Sequence, residues 1–254
     1  MAKDIHTRIL SVDTHADTPL WFTRGNFSVG MRKSNQVSIQ KMEEGKLDAQ
    51  FLAASLAQKE LDEVSSQKAV EKCHKMIEGI YADVAKYKDD CGIALTEEDA
   101  RRLKAEGKKA FFIGIENGYG IGKDIKNVKK YKDMGVQYMT LSHSYDNDIC
   151  NSSSNTADAS KGLTAFGRKV VKEMNKVGMM IDVSHVSEGT FWDVIKLSKD
   201  PIFASHSSVR ALCDHDRNLT DEQLRALAKN GGVIQICIYG GYLNKDAKTA
   251  SVDD

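Results

Sequence analysis

Seven runs of apolar residues alternate with segments of helical periodicity, and this alternation constrains the fold more than any other feature of the chain. The runs begin near residues 9, 47, 110, 136, 179, 201 and 232. Several are apolar throughout, as in Ala110–Ile115, which is typical of parallel strands buried on both faces. Strands alternating with helices over 254 residues predict an α/β fold, either a (β/α) barrel or a doubly wound sheet.

The segments between the runs carry helix and loop signals. Apolar residues at helical spacing predict a long helix over 67–87, and Thr96 begins a shorter one. The pattern Thr220-x-x-Gln223 is a capping box, which marks another helix start. Residues 24–46 predict a loop with one short amphipathic turn. The Asn-, Ser- and Asp-rich stretch 145–162 predicts a long loop of the kind that often carries function.

Composition excludes several classes of protein. Lys and Arg total 36 and so do Asp and Glu, and this zero net charge gives no basic excess for nucleic acid. No apolar stretch is long enough for a membrane span, and the N-terminus lacks a signal-peptide core, so we expect a cytoplasmic protein or one exported with its signal removed. Five widely spaced cysteines without a CxxC pair do not predict a disulfide framework.

Residues of metal-ligand type stand where five of the predicted strands end. They are His15, Asp17, Glu116, His143, His185 and His206. In a (β/α) barrel these positions form the carboxyl-terminal rim, where active sites are built. Each of these residues taken singly is compatible with an ordinary polar strand-to-loop junction, so their shared placement is what predicts a site.

The chemistry of this set points to divalent metal ions and hydrolysis. Imidazole and carboxylate suit zinc or a similar ion, and His15 and Asp17 lie two apart, on one side of an extended segment. The set could hold two ions with Glu116 between them, and paired ions activate water for attack. The chain has neither a phosphate-binding glycine loop nor a Gly-x-Ser-x-Gly nucleophile motif. Arg217 follows the last of these strands and could bind a substrate carboxylate, or form a salt bridge with Asp214 or Asp216.

Taken together, these motifs resemble the membrane (renal) dipeptidase family of zinc metallopeptidases along almost the whole chain. They are Asp13–Asp17, Ile113–Gly118, Tyr138–His143, Leu163–Gly167, Ile181–Ser187, Phe203–Ser208 and Arg217-Asn218. The resemblance implies an eight-stranded (β/α) barrel of the metal-dependent hydrolase kind. It also implies a metallopeptidase that cleaves dipeptides, including those with a C-terminal D-residue, and that is commonly a homodimer.

The resemblance assigns roles to particular residues. His15 and Asp17 would bind one of two zinc ions and His185 and His206 the other, while Glu116 would bridge them. His143 would hold the scissile carbonyl oxygen and Arg217 the terminal carboxylate of the dipeptide. Glu116 and His143 are therefore the expected catalytic residues, and His143 and Arg217 the expected substrate-binding residues.

The chain departs from the family pattern in two ways. Asn117 stands where the family has glycine, which leaves the neighbouring ligand Glu116 intact. Family members also continue into an eighth strand with a proton-shuttling aspartate, so we expect residues 1–254 to form a single barrel domain of about seven strands that lacks the C-terminal strand and helices of the family.

Two other functions stay open at this stage. One is an inactive metal-binding fragment or pseudoenzyme, because the shuttling aspartate is missing. The other is a related barrel amidohydrolase acting on phosphoesters or cyclic amides. That enzyme would favour His-x-His at the first strand and a metal-bridging lysine, and neither is seen.

Overall fold

Eight parallel strands form a nearly closed barrel in the computed structural model, which describes residues 2–24, 27–32 and 36–254. The strands are β1 (Val12–Asp13), β2 (Ala49–Ser55), β3 (Cys91–Ile93), β4 (Lys109–Glu116), β5 (Val136–Thr140), β6 (Met180–Asp182), β7 (Phe203–Ser207) and β8 (Val233–Ile236). Seven of them follow one path, β1-β2-β4-β5-β6-β7-β8, and β3 pairs with β4 beside that path. The α/β fold predicted from the alternation of apolar runs and helices is confirmed, and so is the barrel that the family resemblance implies.

Helices follow most of the strands and pack on the outside of the sheet. They are α1 (Ala2–Arg8), α2 (Ile39–Glu44), α3 (Glu63–Ala85), α4 (Glu97–Ala105), α5 (Lys126–Asp133), α6 (Ala165–Val177), α7 (Glu188–Leu197) and α8 (Asp221–Lys229). The capping box at Thr220 and Gln223 is confirmed, and Thr96 forms a second one with Asp99. Among the described residues, no helix combines the length and the hydropathy that a membrane span needs.

The sequence prediction differs from the structure at two strands. Strand β3 was not predicted, because three residues beside the first half of β4 are too few to give an apolar run. The first strand is shorter than its apolar run, since Ile9 is half-exposed and only Val12 and Asp13 pair with β2. Within 24–46, α2 forms the predicted turn, while 25–26 and 33–35 lie outside the described residues.

The ends of the path approach each other at the rim of the barrel. Within the part of the chain that the structure describes, β1 pairs only with β2, and β8 only with β7. The hydroxyl of Thr14, just after β1, nevertheless donates a hydrogen bond of 2.6 Å to the carbonyl of Ser205 in β7. The rim is therefore bridged near the residues that were predicted to bind metal.

Aromatic rings fill the interior of the barrel beneath this rim. Phe51 and Phe112 are register partners on β2 and β4 and stack with centroids 4.7 Å apart. The fully buried ring of Tyr138 packs against Phe51 and Phe203. A Cβ atom at Gly114 would lie 2.2 Å from Cζ of Tyr138, so this strand needs glycine there. The aromatic layer reaches the predicted site through the Tyr138 hydroxyl, which lies 3.0 Å from Nδ1 of His15.

Candidate metal centre

The carboxylate of Glu116, the last residue of β4, is the centre of the predicted cluster. Its side chain is buried, and Oε1 lies 3.0 Å from Nε2 of His185 and 3.2 Å from Nε2 of His206. Nε2 of His15 and Nε2 of His143 lie 3.6 and 3.8 Å from the same oxygen. Four imidazoles from four different strand ends therefore face one carboxylate oxygen.

Asp17 lies at the edge of the cluster. Its Oδ1 is 3.6 Å from Nε2 of His15, and its side chain is 48% exposed. Two trios of residues each have potential ligand atoms that lie within 4.8 Å of one another. One trio is His15, Glu116 and His206, and the other is Glu116, His143 and His185. The division by distance thus groups His15 with His206, whereas the resemblance assigned these two residues to different ions.

The donor set fits divalent metal ions of the zinc type. Zinc is held by imidazole nitrogen and carboxylate oxygen, and two trios that share one carboxylate provide five such ligand residues. The Nε2 atoms of His185 and His206 are only 2.9 Å apart. Convergent nitrogen and oxygen donors of this kind suit ions of borderline softness better than they suit calcium or magnesium.

The register of the sheet explains why the ligands meet. Ser55 pairs with Glu116, Glu116 with Thr140, and Thr140 with Asp182, so four adjacent strands end in one row. The loops then bend sharply: His185 has a φ of 70°, in the left-handed region that non-glycine residues seldom adopt. Such strained backbone is concentrated at functional sites.

Asn117 has the same kind of backbone, with a φ of 82°. Asparagine tolerates positive φ better than most residues. This accounts for asparagine at position 117, where the family that the chain resembles has glycine. Its side chain also accepts a hydrogen bond from Tyr119 N and donates to Leu56 O. Glu116 is itself part of β4, so this strand orients its carboxylate whichever residue stands at position 117.

The cluster lines a cavity of about 300 Å³, which Arg217 also lines. The guanidinium donates to the carbonyl of His206 at 2.9 Å and to Ser207 Oγ at 3.4 Å, and it faces the Tyr242 ring at 5.3 Å. Arg217 is buried and forms no ion pair with any carboxylate of the described residues. The alternative of a salt bridge to Asp214 or Asp216 is therefore not what the structure shows.

Comparison with known proteins identifies the family. The model of the membrane dipeptidase family, peptidase family M19, matches residues 1–254. The chain belongs to this family. The resemblance seen in the strand-end motifs is thereby confirmed.

Individual members of the membrane dipeptidase family are similar over most of the chain. An uncharacterized dipeptidase of Schizosaccharomyces pombe is 30% identical over 99% of this chain and 65% of its own length. Human dipeptidase 3 is 32% identical over 90% of this chain and 46% of its own. The crystal structure of the probable dipeptidase PvdM from Pseudomonas aeruginosa shares 32% identity, with a TM-score of 0.86 over 96% of this chain and 63% of that one. The chain therefore spans less than two thirds of the length of these relatives.

Electrostatics within the cluster of this family member favour one charge arrangement. Burial raises the pKa of Glu116, but His15, His185 and His206 outweigh burial and hold that pKa well below its usual range. Burial lowers the pKa of His15, yet Glu116 and Asp17 raise it to about 9 overall. Burial, with the charge of Arg217, lowers the pKa of His185 to about 3, and burial with the charge of His15 does the same for His206. At neutral pH, His185 and His206 are thus neutral imidazoles, each with one nitrogen that carries no hydrogen.

Several residues that support the ligands were not predicted from the sequence. Ser55 Oγ donates to Oε2 of Glu116 at 2.6 Å, and the hydroxyl of Tyr138 lies 3.0 Å from Nδ1 of His15. Asp182 and Ser205 lie beneath His206, and Ser205 Oγ is 2.7 Å from its Nδ1. These residues are common types inside apolar strands, and only the strand register reveals their contacts. A weak signal exists for Asp182, a carboxylate within the apolar run 179–183.

Proposed function

We propose that this chain forms the metal-binding barrel of a dipeptidase that hydrolyses the peptide bond of dipeptides with metal-activated water. The observation that carries the proposal is the convergence of four imidazoles on one oxygen of the buried carboxylate of Glu116. Membership of a family described as membrane dipeptidase supports the substrate class.

The proposed cofactor is a pair of zinc ions. His15, Asp17, Glu116, His185 and His206 would hold them, with Glu116 between the two. When bound, such a pair lowers the pKa of water to about 7 and polarises the substrate carbonyl. The chain contributes the buried carboxylate of Glu116 and the neutral imidazoles of His185 and His206, so that at neutral pH the ions displace a proton mainly from His15.

His143 and Arg217 are proposed to bind the dipeptide. His143 is the most exposed of the four imidazoles, at 32%, and Ser144 Oγ lies 3.0 Å from its Nδ1. A hydrogen bond from its Nε2 would hold the carbonyl oxygen as negative charge develops there. Arg217 is a buried cation without a carboxylate partner in the described residues, and a substrate carboxylate would neutralise it. A cavity of about 300 Å³ is at the small end of ligand sites, which suits a short substrate.

Hydrolysis of Gly-D-Ala and Gly-L-Ala by the purified chain with added zinc tests the proposal. We expect turnover of both, with about two zinc ions bound per chain by elemental analysis. Glu116→Gln should abolish turnover and reduce bound zinc. Glu98→Gln, at an exposed position on α4, removes the same charge elsewhere and should leave both unchanged. Zinc binding that is equal in both variants would refute the proposed role of Glu116.

Metal binding without turnover is the second candidate function. It is favoured by the outer sides of β1 and β8, which pair with no further strand among the described residues. Bound zinc with no hydrolysis of either dipeptide would support this function.

The organisation of residues 1–254 as one domain and the homodimer both stay predictions. A single cooperative unfolding transition tests the one domain, and light scattering after size-exclusion chromatography tests the homodimer.

A further inference from the structure

A buried carboxylate beneath the metal centre collects four hydrogen bonds. Asp182, the last residue of β6, is fully buried, and its Oδ1 accepts from the backbone N–H groups of Ser184 and Ser205, both at 2.9 Å. Its Oδ2 accepts from the hydroxyls of Thr140 and Ser205. Four donors on two oxygens are what an ionised carboxylate requires in a buried site, because it can only accept.

The direction of one hydrogen bond fixes the next. Ser205 Oγ lies 2.6 Å from Oδ2 of Asp182 and 2.7 Å from Nδ1 of His206. A hydroxyl has a single hydrogen, and the carboxylate has none to give, so Ser205 must donate to Asp182. Its oxygen can then only accept from His206, which places the imidazole hydrogen on Nδ1. Nε2 of His206 is thereby left with its lone pair facing Glu116, 3.2 Å away.

Without this relay the opposite tautomer would be favoured. A hydrogen on Nε2 of His206 could be donated to Oε1 of Glu116, which would occupy the atom that a metal ion needs. His185 lacks any such control, since its buried Nδ1 has no hydrogen-bond partner among the residues that the structure describes. For His15, the partner of Nδ1 is the Tyr138 hydroxyl, which can either donate or accept. Of these three imidazoles, His206 is the one whose tautomer is fixed by a hydrogen bond at Nδ1.

We infer that Asp182 and Ser205 are positioning residues that hold His206 in the tautomer with a free Nε2 and so raise the affinity of the centre for zinc. This inference rests on the proposed function for its metal. The relay itself is a property of the protein side chains and can be measured in chelated protein. Partners that orient a metal-binding histidine are commonly worth about 10- to 100-fold in metal affinity.

Ser205→Ala and Thr140→Val form a matched pair of variants. Each removes one hydroxyl that donates to Oδ2 of Asp182, and both positions are buried. Only Ser205→Ala also removes the acceptor that faces Nδ1 of His206. The two variants therefore share any loss that comes from disturbing Asp182, and they differ in the tautomer of His206.

The readouts are the ¹⁵N chemical shifts of the His206 ring in chelated protein and the zinc affinity measured against a chromophoric chelator. We expect the Nδ1–H tautomer in the unmodified chain and in Thr140→Val, and a shift towards Nε2–H in Ser205→Ala. Zinc affinity should fall about 10- to 100-fold in Ser205→Ala and less than about 3-fold in Thr140→Val. His206→Gln assigns the signals.

Three results would overturn the inference. They are an Nε2–H tautomer in the unmodified chain, an unchanged tautomer in Ser205→Ala, and equal losses of zinc affinity in the two variants. Failure of the proposed function looks different, because the unmodified chain would then bind zinc without hydrolysing dipeptides or would bind none. In either case the ¹⁵N shifts still decide the tautomer, and an Nδ1–H form that depends on Ser205 supports the relay.

Discussion

Replacement of Gly114 by alanine tests whether the aromatic layer inside the barrel supports the metal centre. A Cβ atom at this position on β4 would lie 2.2, 2.4 and 2.7 Å from three ring atoms of Tyr138, where ordinary contacts exceed 3.4 Å. The ring cannot easily retreat, because it is fully buried and packs against Phe51 and Phe203. We expect overpacking to lower the free energy of unfolding by about 1–3 kcal/mol and the melting temperature by about 2–12 °C.

The same substitution should also loosen His15. The hydroxyl of Tyr138 lies 3.0 Å from Nδ1 of His15, so a displaced ring withdraws a partner from a proposed ligand. Loss of such a partner should weaken zinc binding about 10-fold. Urea denaturation of chelated protein measures the stability, and chelator competition measures the affinity.

Gly79→Ala is the matched control for this prediction. Gly79 lies in α3, and a Cβ atom there would have no neighbour within 4 Å. The same chemical change should therefore stabilise the protein by about 0.5–1 kcal/mol, because alanine loses less backbone entropy in a helix. Equal effects of the two substitutions would refute the packing argument.

A double-mutant cycle locates the strain. Tyr138→Leu removes the Cε and Cζ atoms that the new Cβ of Gly114→Ala would meet. The penalty of the alanine should then shrink by at least about 1 kcal/mol in the leucine background. An unchanged penalty would refute the Tyr138 ring as the source of the strain.

Three further predictions concern charge. Because the pKa of His15 is raised to about 9, zinc binding at pH 7.5 should release about one proton from His15, and this contribution should fall to about half a proton at pH 9. Calorimetry in buffers of different ionisation enthalpy measures the total release, and zero release at pH 7.5 contradicts the prediction. Glu116→Gln should lower the pKa of His15 from about 9 towards 6.5, since the carboxylate is what raises it, and an NMR titration of chelated protein shows the shift. Arg217→Lys keeps the positive charge but loses the paired N–H donors of the guanidinium, so KM for Gly-D-Ala should rise about 10- to 100-fold while KM for the corresponding dipeptide amide stays unchanged. An equal rise in KM for the acid and the amide would exclude carboxylate binding by Arg217.

The sequence alone predicted an α/β fold of parallel strands and the residues of metal-ligand type at the strand ends. Parallel strands buried on both faces must be apolar throughout, and this local requirement is visible in runs such as Ala110–Ile115. The ends of parallel strands lie on one rim, so His143, His185 and His206 could be placed together without coordinates. Strand β3 was not predicted, because its three residues beside β4 are too few to show a periodicity.

Only the tertiary structure decided which atoms face each other. It placed four Nε2 atoms around one oxygen of Glu116 and grouped His15 with His206, a pairing that no spacing along the chain encodes. It also joined Asp182 and Ser205 to His206, since contacts across neighbouring strands depend on register. A sequence records which side chains stand at the strand ends, whereas register and loop conformation determine the distances and hydrogen-bond directions on which chemistry depends.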